Sequence, residues 1–219
     1  MSDRVKSLLS VAGCLLPTLV GFCLYSQLPA QIPVHFGFNG QADSWWPKFI
    51  AVACLPLMLA AMDALVLFVT LHDPKRNNIH GPAMNVLFWL VPVIDNVVMY
   101  AIYAIVLGVH VNISVICLFG LGLLFVVLGN ALPKVKQNYV FGVRTSWTLD
   151  DPENWIHTAR FSSRCFIASG LFLMAVCWFS SGMLLMVEMV VIVGALGIAP
   201  YIYSYQYYKA HKPASEKKG

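Results

Sequence analysis

The sequence predicts an all-α, polytopic integral membrane protein: six transmembrane helices in a single membrane domain over residues 1–219, with both termini in the cytoplasm. Composition sets the class, because 59% hydrophobic and 11% charged residues in a chain of 219 leave too little polar surface for a water-soluble domain. Mean hydropathy is +0.73. Segmentation sets the number, since a spanning helix needs about 20 largely apolar residues and six such runs are present, 8–25, 49–71, 86–107, 111–129, 165–179 and 183–205. Charge asymmetry sets the orientation, because lysine and arginine concentrate in cytoplasmic loops. Arg4 and Lys6 precede the first run, Lys75 and Arg76 follow the second, and Lys134, Lys136, Arg144, Arg160 and Arg164 lie between the fourth and fifth. Lys209, Lys212, Lys217 and Lys218 close the chain, and only Lys48 falls on the other side. The pI of 8.7 thus reflects attraction to anionic inner-leaflet lipid and carries no argument for nucleic acid.

The first run follows charged residues, but Pro29-Ala30-Gln31 is a poor cleavage site, so a retained helix is expected in place of a removed signal. The outer connection 26–48 is rich in turn-formers and aromatics. Pro29 and Pro33 favour extended backbone before them, Ile32, Val34 and Phe36 alternate, and Asn39-Gly40 is a strong two-residue hairpin turn. A short hairpin on the outer membrane face is the expectation, its return anchored at headgroup level by Trp45, Trp46 and Lys48. His35 and Asp43 would meet across it, as a pH-sensitive pair, as half of a metal site, or with His35 as an interfacial aromatic that carries one hydrogen bond.

The second and third runs each carry a carboxylate where ionisable groups are costly and face a protein interior or water. Asp63 is eight residues from the inner end of one and Asp95 nine from the inner start of the other. Both therefore lie roughly 12–14 Å above the cytoplasmic boundary at the helical rise. If they touch, only one ionises and a proton relay follows, extended by Glu188 in the sixth run. The alternative is that each bonds a neighbouring Asn96, Ser, Thr or Tyr and holds helices together. Between these runs His72, Asp73 and His80 share a short loop, but their spacing matches no standard metal site. No metal or other cofactor is expected. The six cysteines lie in or beside apolar runs without a C-x-x-C pair and read as packing residues. No GxGD, GxSxG, HExxH or Walker sequence is present, so no enzyme is expected.

A tight turn near Gly108 leads into the fourth run, and the cytoplasmic loop 129–164 after it is the one long polar passage. Asn130 can satisfy carbonyls at the end of the fourth helix and Pro133 stops it. Lys134 and Lys136 reach phosphates, and Gly142 permits a turn its neighbours cannot make. Arg144 and Arg160 are candidates to pair with Asp150, Asp151 or Glu153, or to reach Asp95, while Trp147 and Trp155 would lie at the interface. Asp151-Pro152 is a strong helix start, so a long helix over 152–179 is expected, its first turns in water. Another turn near Gly182 precedes the sixth run. Gly120, Gly122, Gly194 and Gly197 offer close helix contacts.

The passage GNALPKVKQNYVFGVRTSWTL, followed by DDPENWIHTAR, resembles the signature of the SdpI-type immunity proteins of bacteria: G-N-x-L-P-K, then N-Y/F-x-x-G-x-R-T-x-W-T-L, then N-W-x-x-T-H/A-R. Asn138 falls in the second block, and Ala159 stands where many relatives carry histidine. The outer segment LPAQIPVHFGFNGQADSW is similar to a module often found ahead of it, with an I-P-x-H-F/W pattern. The resemblance implies a plasma-membrane protein that shields the cell from a secreted membrane-active toxin which collapses the proton gradient, and that in some relatives holds a transcriptional repressor at the membrane. It also implies the partners: a peptide toxin at His35, Phe36, Asp43, Trp45 and Trp46, a repressor at the inner loop, and the lipid bilayer. A small proton-coupled transporter or lipid-handling protein using Asp63, Asp95 and Glu188 is the alternative.

The orientation is open to direct test. In a cysteine-free background, a membrane-impermeant thiol reagent added to intact cells should label Gln41→Cys and spare Lys136→Cys; the reverse pattern would contradict the assignment.

Overall fold

The computed structural model describes residues 2–79 and 81–211. Of the residues singled out above, His80, Lys212, Lys217 and Lys218 lie outside these. Six helices are long and apolar enough to cross a membrane, here numbered spans 1 to 6: Asp3–Cys23, Ile50–Leu71, Pro82–Val106, Ile113–Lys134, Pro152–Val176 and Gly182–His211. Their ends differ from the hydropathy runs because caps, not apolarity, terminate helices. Span 1 starts five residues earlier than its run, where Ser2 Oγ accepts from the Val5 amide at 3.4 Å. The Asp151-Pro152 start of span 5 is as expected, with the Asp151 carboxylate accepting from the Glu153 amide at 2.8 Å. Span 6 runs past the expected 205 to His211, on stacked Tyr207 and His211 rings.

Prolines decide how the spans bend. Spans 2 and 6 each contain a π-helical turn, Ile50–Cys54 and Gly194–Ile198, immediately ahead of Pro56 and Pro200. The widened turn accommodates a residue that cannot donate backward. Span 1 breaks at Leu15, between Asp3–Cys14 and Leu16–Cys23, and span 3 holds Pro92 in its interior. Pro17 and Pro92 cannot donate to the carbonyls four residues back, Gly13 and Phe88. Each helix repairs the other. Asn96 Nδ2 of span 3 donates to Gly13 O at 2.9 Å, and Ser10 Oγ of span 1 lies 2.5 Å from Phe88 O. Gly13 allows the approach, since a Cβ there would stand 3.2 Å from that of Pro92.

Spans 4 and 5 cross closely where Gly122 faces Gly170 and where Gly129 meets Phe166 and the Ser163 carbonyl. A Cβ on Gly122 would sit 2.7 Å from the Gly170 carbonyl. Of the four glycines expected to offer close helix contacts within or between chains, Gly122 makes one within this chain, and Gly120, Gly194 and Gly197 have nothing within 4 Å of a Cβ in it. All six cysteines are free.

Between spans 1 and 2 the expected hairpin forms from β1 (Gln31–Phe36) and β2 (Ala42–Pro47), antiparallel. The turn differs from the two-residue expectation. Phe36 pairs with Ala42, and five residues, 37–41, close the loop through Gly37 N to Gln41 O at 2.9 Å, with Gly40 at φ +75°. Asn39 contributes as an Asx turn, its Oδ1 accepting from the Gln41 amide at 3.0 Å. The anchoring also differs. Ile32 is fully buried against Val52, Met99 and Ile102, and Trp46 packs onto this cluster, so the hairpin is a lid on the bundle. Lys48 Nζ donates to the carbonyls of Tyr25 (3.0 Å) and Leu28 (3.3 Å) and lies over the Tyr25 ring, which closes the end of span 1.

The tight crossing makes a stability prediction. Gly170→Val forces a branched side chain onto Val126 and the Gly122 carbonyl and should destabilise the protein by about 2–3 kcal/mol, whereas Gly194→Ala should be neutral; denaturant unfolding in detergent micelles measures both.

Candidate functional site

The hairpin face carries a polar pair over an apolar groove. His35 Nδ1 and Asp43 Oδ1 lie 2.6 Å apart, so the expected pair does meet. Both side chains are exposed, at 69% and 52%, and a pair this wet contributes at most about 1 kcal/mol. It orients the loop more than it stabilises it. Beneath it a groove of about 450 Å³ opens between the hairpin and spans 3, 4 and 6, walled by Val34, Phe36, Ile102, Leu118 and Leu185 with His35 and Asp43 at the mouth. Phe38 and Trp45 are each 50% exposed, while Trp46 turns inward. The tip is held rigidly. The Gly182 amide at the head of span 6 donates to Phe38 O at 2.9 Å, and Gly40 packs so close to Ser114 of span 4 that a Cβ would meet its Oγ at 2.8 Å.

Inside the bundle the three carboxylates are buried in protein, away from the lipid face: Asp63 0%, Asp95 1% and Glu188 8% exposed. Asp63 and Asp95 do not pair. Asp63 Oδ2 instead meets Ser10 Oγ of span 1 at 2.6 Å. Cys14, one turn on from Ser10, lies in electrostatic range of both carboxyls. Asn96 bonds the Gly13 and Pro92 carbonyls and leaves Asp95 alone. Both Asp95 oxygens, and Glu188 Oε2, have no hydrogen-bond partner among the described residues.

On the opposite face the loop between spans 4 and 5 is a folded cap built around Asn138, which is fully buried. Its amide donates to the carbonyls of Lys136 and Phe141, both at 2.9 Å. Its Oδ1 accepts from the amides of Val140 (2.9 Å) and Phe141 (2.6 Å). One side chain thus uses every donor and acceptor it has. Gly142 adopts φ +122°, and a Cβ there would strike the Trp155 ring at 3.0 Å. Trp155 is therefore buried beneath the cap, not placed at the membrane interface as expected, and its Nε1 donates to Val135 O at 2.8 Å. Trp147 packs on Tyr201 and Tyr205 of span 6.

The polar residues of the cap depart from several expectations. The helix end at Ala131 passes into a 3-10 turn through Pro133, Asn130 Oδ1 accepts from Lys134 Nζ at 3.2 Å, and its amide Nδ2 donates to no helix carbonyl among the described residues. Arg144 donates to the Tyr139 carbonyl, and neither it nor Arg160 pairs with Asp150, Asp151, Glu153 or Asp95, since both guanidinium groups are at the exposed surface. Among the described residues the ion pairs are His35–Asp43 and Asp3–Arg76. Asp73 is structural: Oδ2 accepts from the Tyr139 amide at 2.9 Å and Oδ1 from the Lys75 amide at 2.7 Å. No group of three or more His, Cys, Asp and Glu side chains suited to a metal occurs among the described residues.

Sequence reasoning missed Ser10, the carbonyl-bonding role of Asn96, which it had read as a partner for the carboxylates, Asn154 and Ser204. Asn154 Nδ2 donates to Ser204 O at 3.0 Å and its Oδ1 accepts from Thr158 Oγ1 at 2.9 Å, tying span 5 to span 6. A signal existed for the first two, because a proline in an apolar run announces an open carbonyl four residues back, and a small polar residue on a neighbouring run is the natural donor.

Comparison with known proteins places these two faces in separate matches. The SdpI/YfhL protein family matches residues 134–204, and a domain of unknown function (DUF1648) matches residues 12–60, which contain the hairpin. The immunity protein SdpI of Bacillus subtilis (strain 168) is 28% identical over 206 residues, 93% of this chain and 96% of that protein. No solved structure matches.

Asn138→Ala should open the cap, since it strands two buried amides and two carbonyls; a loss of about 3 kcal/mol and faster proteolysis at 136–144 are expected, against little change for Asn130→Ala.

Proposed function

We propose that this chain, which belongs to the SdpI/YfhL family, protects a bacterial cell from a membrane-active peptide by binding it at the hairpin face, with no enzymatic step. It is a multi-pass membrane protein. The observation that carries the reading is the pairing of a rigidly held hairpin with uncovered aromatics: Phe38 and Trp45 stand half exposed beside an apolar groove whose mouth holds His35 and Asp43. Such a surface costs little entropy to engage, because its frame is fixed to spans 1, 4 and 6 before any ligand arrives. The lysine and arginine distribution supports an external position for it and internal termini. The name of the Bacillus subtilis relative, an immunity protein, supports the class of activity.

The opposite face supports a second contact. Lys136, Arg160 and Arg164 are exposed and make no ion pair among the described residues, which suits an acidic patch on a cytoplasmic repressor or anionic lipid. A transport reading draws on the unpartnered carboxyl oxygens in the spans, both of Asp95, Oδ1 of Asp63 and Oε2 of Glu188.

Membrane potential in cells challenged with a gradient-collapsing peptide separates these readings. Trp45→Ala and Phe38→Ala should weaken protection by roughly tenfold or more, the ~1.4 kcal/mol or greater cost of truncating an aromatic anchor, at unchanged expression. Asp95→Asn should protect as wild type; the opposite pattern, with hairpin variants active and Asp95→Asn inactive, would transfer the function to transport.

A further inference from the structure

At the junction of spans 1, 2 and 3 two acceptors crowd one hydroxyl. Ser10 Oγ lies 2.6 Å from Asp63 Oδ2 and 2.5 Å from Phe88 O, and Ser10 and Asp63 are both fully buried. A serine has one proton to donate, and a backbone carbonyl can only accept. Phe88 O has no helical donor, because Pro92 occupies the position that would supply it. Ser10 is the side chain that reaches it. With the serine proton on Phe88 O, the short contact to Asp63 is a clash of lone pairs unless the carboxyl carries a proton of its own and donates it to Ser10 Oγ. At 2.6 Å the separation is that of an O–H···O bond.

The surroundings offer no cation to hold Asp63 as an anion instead. Within span 2 the other titratable side chain is Cys54. Span 1 presents Cys14 and Lys6, and the Lys6 ammonium is turned to Asn85 Oδ1 at 3.2 Å and over the Phe88 ring. Span 3 presents Asp95, itself without a partner among the described residues, Tyr100, and Tyr103, whose hydroxyl donates to Pro17 O at 3.0 Å. Asp63 takes part in no ion pair. A lone carboxylate buried this way is too costly to persist.

We propose that Asp63 is a proton-binding site: the carboxyl holds a proton and donates it to Ser10 Oγ, which donates to Phe88 O, so that the bound proton latches spans 1 and 2 onto the proline kink of span 3. Loss of the proton to water leaves a carboxylate, which draws the Ser10 hydroxyl to itself and strips Phe88 O of its donor. The Asn96–Gly13 bond then holds the seam between spans 1 and 3 alone. The site is independent of peptide binding at the hairpin and persists whatever that face recognises.

Infrared difference spectra of the full chain in lipid nanodiscs at neutral pH test this. Wild type minus Asp63→Asn should show a protonated-carboxyl C=O band that survives in Asp95→Asn, disappears on alkalinisation, and moves to higher frequency in Ser10→Ala, where its hydrogen-bond acceptor is gone. Asn is a neutral donor and should preserve the latch. A carboxylate band in that difference spectrum, with no acid band, would overturn the proposal. Should Asp63→Asn fail to fold, Ser10→Ala decides alone: a shifted acid band supports the site, and an acid region identical to wild type overturns it.

Discussion

An open backbone carbonyl in the hydrocarbon core of a bilayer has no water to turn to, and leaving it so costs several kcal/mol. Pro17 and Pro92 create two such carbonyls in adjacent helices, and their mutual repair by Ser10 and Asn96 is the constraint that organises the first half of the chain. Span 1 cannot rotate or slide on span 3 without exposing Gly13 O or Phe88 O. Because span 1 is fixed, its far end at Tyr25 and Leu28 stands where Lys48 can close it, and the hairpin is thereby set down over the cluster of Ile32, Val52 and Met99. The position of the hairpin aromatics is thus a distant consequence of two prolines.

The second half obeys the same rule with other groups. Span 5 carries Asn154, Thr158, Ser162 and Ser163 on its buried face, an unusual polar content for a membrane helix, and each is buried against protein. Their bonds run to Ser204 and along the helix itself, while Gly122, Gly129 and Gly170 let spans 4 and 5 close together. Between the 3-10 turn at Pro133 and the short helix Ser146–Asp150 the cap has no regular secondary structure to satisfy its backbone, so Asn138 does what a strand partner would do elsewhere. Trp155 then fills the space that Gly142 leaves. These polar contacts face inward, which leaves Lys136, Arg160 and Arg164 free at the surface.

Hydropathy and charge made the six spans legible, since a stretch of apolar residues has few other uses. Their ends were less so, because Ser2 and the 3-10 turn at Pro133 act through single hydrogen bonds that no average records. The pairing of His35 with Asp43 was legible from alternation around a turn, but the irregular register between Pro33 and Phe36 lengthens that turn to five residues. The partner of Asp63 was not legible in the helical rise, because the direction of a helix face depends on the kinks, and it proved to be a serine on span 1. Trp155 shows the general difficulty: an aromatic near a membrane end reads as an interfacial anchor, and only the positive φ of Gly142 and the Val135 carbonyl reveal a buried pocket made for it.

The claim on which the account rests is that the hairpin face meets a membrane-active peptide directly. A photo-crosslinking amino acid at position 38, compared with one at Val193 on the open flank of span 6, which is 66% exposed, tests it in living cells under peptide challenge. The account predicts a peptide adduct at position 38, competed by unlabelled peptide, and none at position 193. Full protection with no adduct at position 38, or equal adducts at both, would contradict it.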